Sequence, residues 1–203
     1  MKTTKKHIKD HALKLFNEKG FVNVRLQHIA DAAFVSVGHL AYHFKNKDSI
    51  VEDLYDELRR NQEELLNKFR VVPLFEDINC YLIEIYMQQS KHIFFYADML
   101  EVLRSFPEIQ TKHSKHLMWQ SAQIKMMIAF NCARGSLIML TDQQQDYLAW
   151  QLRSVIDMWH YIKKTEGQND LMLQHFLEDI WGILNPFFTD MGNREYHQLS
   201  GEI

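Results

Sequence analysis

The stretch from Leu26 to Lys47, LQHIADAAFVSVGHLAYHFKNK, admits few folds. Ile29, Ala30 and Ala33 recur at one-turn spacing and share one face of a short helix. The run Ala33-Phe34-Val35-Ser36 interrupts that period. Ser36 is a good N-cap, because its hydroxyl can accept from a free backbone N–H at a helix start. A second short helix follows, with Leu40 and Phe44 four apart and turned toward the first. Two short helices joined by a tight turn make a helix-turn-helix. Its second helix would lie in a DNA major groove, with its N-terminal residues on base edges.

The charge distribution points the same way. Residues 1–50 hold nine Lys and Arg against four Asp and Glu, a net +5, which leaves −8 for residues 51–203 in a chain of net −3. A basic head on an acidic body suits a nucleic-acid module fused to a non-binding domain. Of the two cysteines, Cys80 and Cys132, no disulfide framework can be built, so a reducing compartment is expected. The opening residues lead straight into an amphipathic helix with no signal-peptide pattern, and no apolar run approaches a membrane span. A cytoplasmic protein without membrane contact is the expectation.

Phe16, Gly20, Ile29-Ala30, Ala33, Val35-Ser36, Gly38, Leu40, Tyr42-His43-Phe44, Lys47 and Ile50 together resemble the N-terminal signature of the TetR family of bacterial transcription regulators. The resemblance covers about fifty residues. Beyond them only chain length and helical character are similar. It implies an all-α fold with a three-helix head at 1–47 and a ligand-binding and dimerisation domain at 48–203, the helix over 48–70 connecting them. It implies a homodimer on a palindromic double-stranded DNA operator, released by a small-molecule effector. Repression follows from family habit.

The DNA-binding candidates divide by chemistry. Arg25 stands where the family usually offers a hydroxyl and would supply a charged phosphate contact instead. Gln27 matches a position that reaches a base in some members, and Gln can read adenine bidentately. Ser36 and Val37 open the recognition helix; Val37 can touch only a thymine methyl or a sugar. His39, Tyr42 and His43 are exposed candidates on that helix, and Lys47 resembles the family's phosphate-anchoring lysine. Four departures stand out. Phe34 replaces the usual turn glycine, Ala41 the usual tyrosine, Val37 an often polar or basic residue, and Val24 a hydroxyl. They motivate an alternative: a dimeric helical protein that has lost DNA binding and acts through protein contacts.

Downstream, apolar stripes at helical spacing predict further helices near 48–69, 77–90, 91–104, 107–140, 142–164 and 170–185, with a loosely ordered tail after Met191. Asp142 and Asp170 are the expected N-caps of the last two. Trp150, Ile156, Trp159, Met172, Phe176 and Ile183 give that pair apolar character on more than one face, so they are the dimer-interface candidates. The resemblance also implies a pocket among the middle helices, for which Tyr86, Phe95, Met99, Trp119, Met126 and Phe130 are candidates for a mainly apolar or aromatic ligand. His113-x-x-His116 puts two imidazoles on one face with nothing to complete a metal site, so solvated surface is expected. Asp146, Asp157, Glu178 and Asp179 read as solvated helix charges. No phosphate loop, nucleophile elbow or zinc-protease helix occurs, so neither catalysis nor a cofactor is expected.

Overall fold

The computed structural model describes residues 2–168 and 172–201, and these form helices joined by short loops, with one isolated antiparallel bridge between Leu137 and Phe188. The helices are α1 (Lys2–Lys19), α2 (Leu26–Ala32), α3 (Val37–His43), α4 (Lys47–Phe69), α5 (Phe75–Lys91), α6 (Ile93–Ala97), α7 (Met99–Ser105), α8 (Pro107–Arg134), α9 (Asp142–Thr165), α10 (Leu173–Leu184) and α11 (Asp190–Ser200). Among the described residues no helix is long and apolar enough to cross a membrane.

Local chemistry accounts for most helix ends. Gly20 and Gly135 follow α1 and α8 at φ +72° and +87°, a left-handed conformation that costs glycine little. Gly135 therefore ends α8 at Arg134, where the sequence suggested a helix running on to Leu140 with a bend. Asn46 and Ser49 cap α4 reciprocally, the Ser49 N–H donating to Asn46 Oδ1 at 2.9 Å. Thr141, not Asp142, caps α9, its hydroxyl accepting from the Gln144 N–H at 3.3 Å. The expected cap Asp170 lies outside the described residues.

Two segments differ from expectation. The helix read over 91–104 is broken into α6 and α7 at Asp98. Phe94, Phe95 and Tyr96 are all buried, and three consecutive side chains on a helix sweep about 200°, too wide for one stripe. Breaking the helix re-aims the flanking turns. The tail is not loose: α11 docks on the body. Arg134 pairs with Glu195 through two hydrogen bonds, and Tyr196 packs on Trp181 and Phe188. Gly192 passes so close to the Ser136 carbonyl that an added Cβ would sit 2.2 Å from its oxygen.

The buried residues form two apolar clusters. One joins the head to the first half of α4 and to α6, α7 and Ile109. The other joins the end of α4 to α5, α8, α9 and α10. Between them lies a polar layer. On α4 the buried stripe runs Leu58, Gln62, Leu65. On α8 it runs from Ile109 through His113, His116 and Gln120 to Ile124. Tyr86, Gln89 and His92 make the same change between α5 and α6, and Asp157 and His160 contribute from α9. His113, His116 and Asp157 are thus buried, not solvated as their helical spacing suggested.

Burial sets the protonation of this layer. It lowers the pKa of His113 and of His160 to about 4, and raises that of Asp157 to about 7. Each imidazole has a folded pKa below its unfolded value near 6.5, so its contribution to stability is lost as pH falls from there toward 4. Asp157 acts oppositely, since its folded pKa is raised; acidification from pH 7 favours the fold at that group. Two imidazoles outweigh one carboxyl. The melting temperature is therefore expected to fall between pH 6.5 and 4.5, and Asp157→Asn to steepen the fall; a flat profile in both proteins would contradict the buried layer. Gly192→Ala is expected to destabilise by about 1–3 kcal/mol through overpacking at Ser136, read as a lowered urea midpoint.

Candidate nucleic-acid interface

The α2–α3 unit is held from beneath by Ile29, Ala30, Ala33, Leu40 and Phe44, which pack on Ile8, Ala12 and Phe16 of α1. Val24 is fully buried in this core, which accounts for an apolar residue there. Arg25 occupies the N-cap of α2, and its backbone N–H donates to His28 Nδ1 at 3.2 Å. The nearby Asn23 carboxamide donates back to the Lys19 carbonyl at 2.8 Å. Ser36 caps α3 as its sequence position suggested, accepting from the His39 N–H at 3.1 Å. Phe34 takes up φ +54° in the turn with its ring 90% exposed. A bulky residue in that region carries strain of about 1–2 kcal/mol, and no packing of Phe34 offsets it.

One face of the unit is free of the rest of the protein. Arg25, Gln27, Ser36, His39 and Tyr42 are exposed there, and Val37 and His43 are half-buried at its edge. The Gln27 carboxamide donates to Asp31 Oδ1 at 2.7 Å, so reading a base would require it to turn away. Tyr42 meets the His43 ring edge-on at 5.2 Å, and His39 lies 5.3 Å from His43. These three rings form a continuous aromatic and polar ridge along α3.

Lys47 has a structural attachment. Its ammonium donates to the Phe21 carbonyl at 2.8 Å and sits 5.3 Å above the Phe21 ring. Burial lowers its pKa. An ammonium has three donors, so two remain after the bond to Phe21. Lys5 and Lys9, counted in the basic head, are tied up in ion pairs with α4. Lys5 pairs with Asp53 at 2.9 Å, and Lys9 with Asp53 at 2.8 Å and with Glu57. They brace α1 against α4 rather than widening the exposed cationic surface.

The other candidate residues scatter. Tyr86, Phe95 and Met99 are packed in core, Trp119 and Phe130 are half-buried, and Met126 is exposed on α8. None borders the apolar cavity of about 40 Å³ between α5, α8, α9 and α10, whose walls include Phe75, Ile78, Tyr81, Leu82, Met127 and Ile156. Tyr81 and Met127 lie on buried stripes and were available to periodicity; which stripe leaves a gap was not. Of the interface candidates, Ile156, Trp159 and Phe176 are buried within this chain. They fill the core between α9 and α10, where Trp159 Nε1 donates to Asp179 at 2.8 Å. They are therefore removed from any external face. Trp150 and Met172 are exposed and Ile183 half-buried.

Comparison with known proteins adds sequence and structural relatives. A family model described as bacterial regulatory proteins, tetR family, matches residues 8–54. A second, described as bacterial transcriptional repressor, TetR, matches residues 51–196. The probable HTH-type transcriptional regulator YttP of Bacillus subtilis is 42% identical over 55 residues, which is 27% of this chain and 27% of that protein. The match thus spans about a quarter of that curated relative. A TetR-family transcriptional regulator from Marinobacter aquaeolei VT8 superposes with a TM-score of 0.84 at 24% identity, over 98% of this chain and 97% of that one. The SmeT–triclosan complex superposes with a TM-score of 0.69 at 15% identity, over 93% of each chain.

The double attachment of Lys47 separates two effects in one variant. Lys47→Ala is expected to lower head stability by roughly 1 kcal/mol through the lost bond to Phe21. It is also expected to weaken binding to all DNA sequences, with a salt slope shallower by about one unit. A melting curve and a salt titration check the two; unchanged affinity at equal stability would limit Lys47 to its structural bond.

Proposed function

The chain belongs to the TetR family of bacterial transcriptional regulators, and from that premise we propose that it represses transcription as a homodimer on a near-palindromic operator, released by a small molecule. Residues 1–47 act as the reading head and residues 48–203 as the effector and dimerisation domain, with α4 as the connector. The observation that carries this reading is the free face of α3: Ser36, His39 and Tyr42 are exposed on a helix whose other side is fixed in the core.

The dimer would form through the outer faces of α9 and α10. Trp150, Met172 and Ile183 lie there, together with Tyr147 and Tyr161, which are also exposed. This pairing sets the two heads about one DNA turn apart, ~34–36 Å. The effector enters the body, and its apolar or aromatic part is received by the ring-lined interior of α5, α8 and α9; a structural relative, SmeT, is known as a complex with triclosan. Release follows from linkage: an effector that prefers a splayed arrangement of heads shifts the population away from the DNA-competent one. Such a protein works in the cytoplasm, beside its DNA.

Selection of random-sequence DNA by the purified protein, read by sequencing at moderate salt, tests the reading. An enriched inverted repeat with half-sites one turn apart is the expected result, and Tyr42→Ala is expected to abolish the enrichment while leaving the oligomeric state unchanged. Absence of enrichment from a folded dimer would overturn it in favour of a regulator that acts through protein contacts, with the exposed Phe34 ring as the first surface to examine.

A further inference from the structure

We propose that the polar layer between the two cores is a head-group pocket, and that its ligand is an amphiphilic amine: an apolar or aromatic body carrying a protonated primary or secondary nitrogen. This deepens, and rests on, the reading that the body takes a small-molecule effector.

The layer contains buried polar atoms without partners. Among the described residues, Asp157 Oδ2, Gln89 Oε1, Gln120 Oε1, the Tyr55 hydroxyl, Arg59 Nε, His116 Nδ1 and both ring nitrogens of His160 have no hydrogen bond, so acceptors are the larger share beside α9. Gln89 is oriented without ambiguity, because its N–H₂ donates to the Ile156 carbonyl at 3.1 Å and a carbonyl cannot donate back. Buried groups of this kind are nearly always satisfied, by protein, water or ligand. Several on one seam mark a place where something polar belongs.

The sign of the unmet demand selects the occupant. Two carboxamide oxygens accept only, as does Asp157 when ionised, while a neutral imidazole offers one acceptor and one N–H. Acceptors call for N–H donors, and a carboxylate calls for positive charge. Arg153 supplies positive charge nearby but no hydrogen bond to this carboxyl oxygen. Its Nη1 lies 3.9 Å from Asp157 Oδ2, beyond hydrogen-bond reach, and its Nε donates to Ser121 Oγ at 3.1 Å. A quaternary ammonium would satisfy the charge but leave the amide oxygens unmet, since it has no N–H.

The apolar half of the ligand follows from what adjoins the layer. Tyr81 lines the apolar cavity with its ring, while its hydroxyl accepts from Gln120 at 3.4 Å. Ile156 lines the same cavity with its side chain, while its carbonyl takes the Gln89 bond. Apolar and acceptor-rich spaces therefore meet at these two residues. At about 40 Å³ the cavity is far below the ~150 Å³ that houses a benzene ring. Binding must spread α5 from α8 and α9, and Gln62 of α4 is tied into the layer by its bonds to Tyr96 at 2.6 Å and His116 at 3.2 Å. That tie joins occupancy of the pocket to the connector helix.

Calorimetric titration of the DNA-free protein tests this with phenethylamine, 4-phenylbutylamine and octylamine. Each is compared with the alcohol of the same skeleton and with its trimethylammonium derivative. At least one amine is expected to bind about tenfold or more tightly than both analogues, the size of one charged hydrogen bond. Asp157→Asn, checked by circular dichroism, is expected to remove that preference without weakening the alcohol. Gln120→Leu is expected to reduce amine affinity in the same direction, independently of charge. No binding by any amine, equal binding by amine and alcohol, or a preference that survives Asp157→Asn would overturn the proposal. Because DNA is absent, failure of operator binding leaves the result intact. An amine that binds with this preference yet leaves DNA bound supports the pocket and counts against the release mechanism alone.

Discussion

A three-helix unit of some forty-seven residues buries little apolar surface by itself, and the rest of this structure follows from how its core is enlarged. The head borrows. Phe16 and Phe21 pack against Phe94 and Phe106 from beyond α4, so that α6 and α7 complete a core that the first fifty residues begin. Polar contacts fix the same junction. The Asn17 carboxamide donates to the Lys91 carbonyl at 2.9 Å and accepts from the Phe94 N–H at 3.1 Å, spanning the break between α5 and α6. Lys5 and Lys9 hold α4 from the other side. The reading head is thus oriented by elements of the body.

The same helices that complete the head's core enter the polar layer. Continuous apolar packing from head to tail would make one stiff unit. Here the stripe of α4 changes from Leu58 to Gln62 and back to Leu65 within two turns. Buried polar networks are costly where partly satisfied and specific where fully satisfied. A layer of this kind, placed across three long helices, is a seam whose energy depends on what occupies it.

Much of the head was legible because its signals are local. Caps, a four-residue interruption and apolar residues at one-turn spacing determine where α2 and α3 begin and end, and Phe34 takes the positive φ its place in the turn requires. The body was legible only as helices. Periodicity identifies a stripe but not what faces it. His113, His116 and Asp157 sit among charged neighbours and read as solvated, because a buried polar residue looks no different from an exposed one until its partner helix is known. Ile156, Trp159 and Phe176 were drawn to an outer face for the mirrored reason. α11 was missed because its docking depends on Arg134, Ser136 and Trp181, far away in sequence.

The length of α4 turns small adjustments into large ones. Its 23 residues span about 34 Å, with Lys47 at one end under the head and Phe69 at the other against the body core. A tilt of about 5° about the far end carries the near end through roughly 3 Å, close to the rise of one base pair along a duplex. A rearrangement no larger than a repacked side chain near Gln62 is therefore enough, by leverage alone, to move α3 by a whole step of the surface it is shaped to follow.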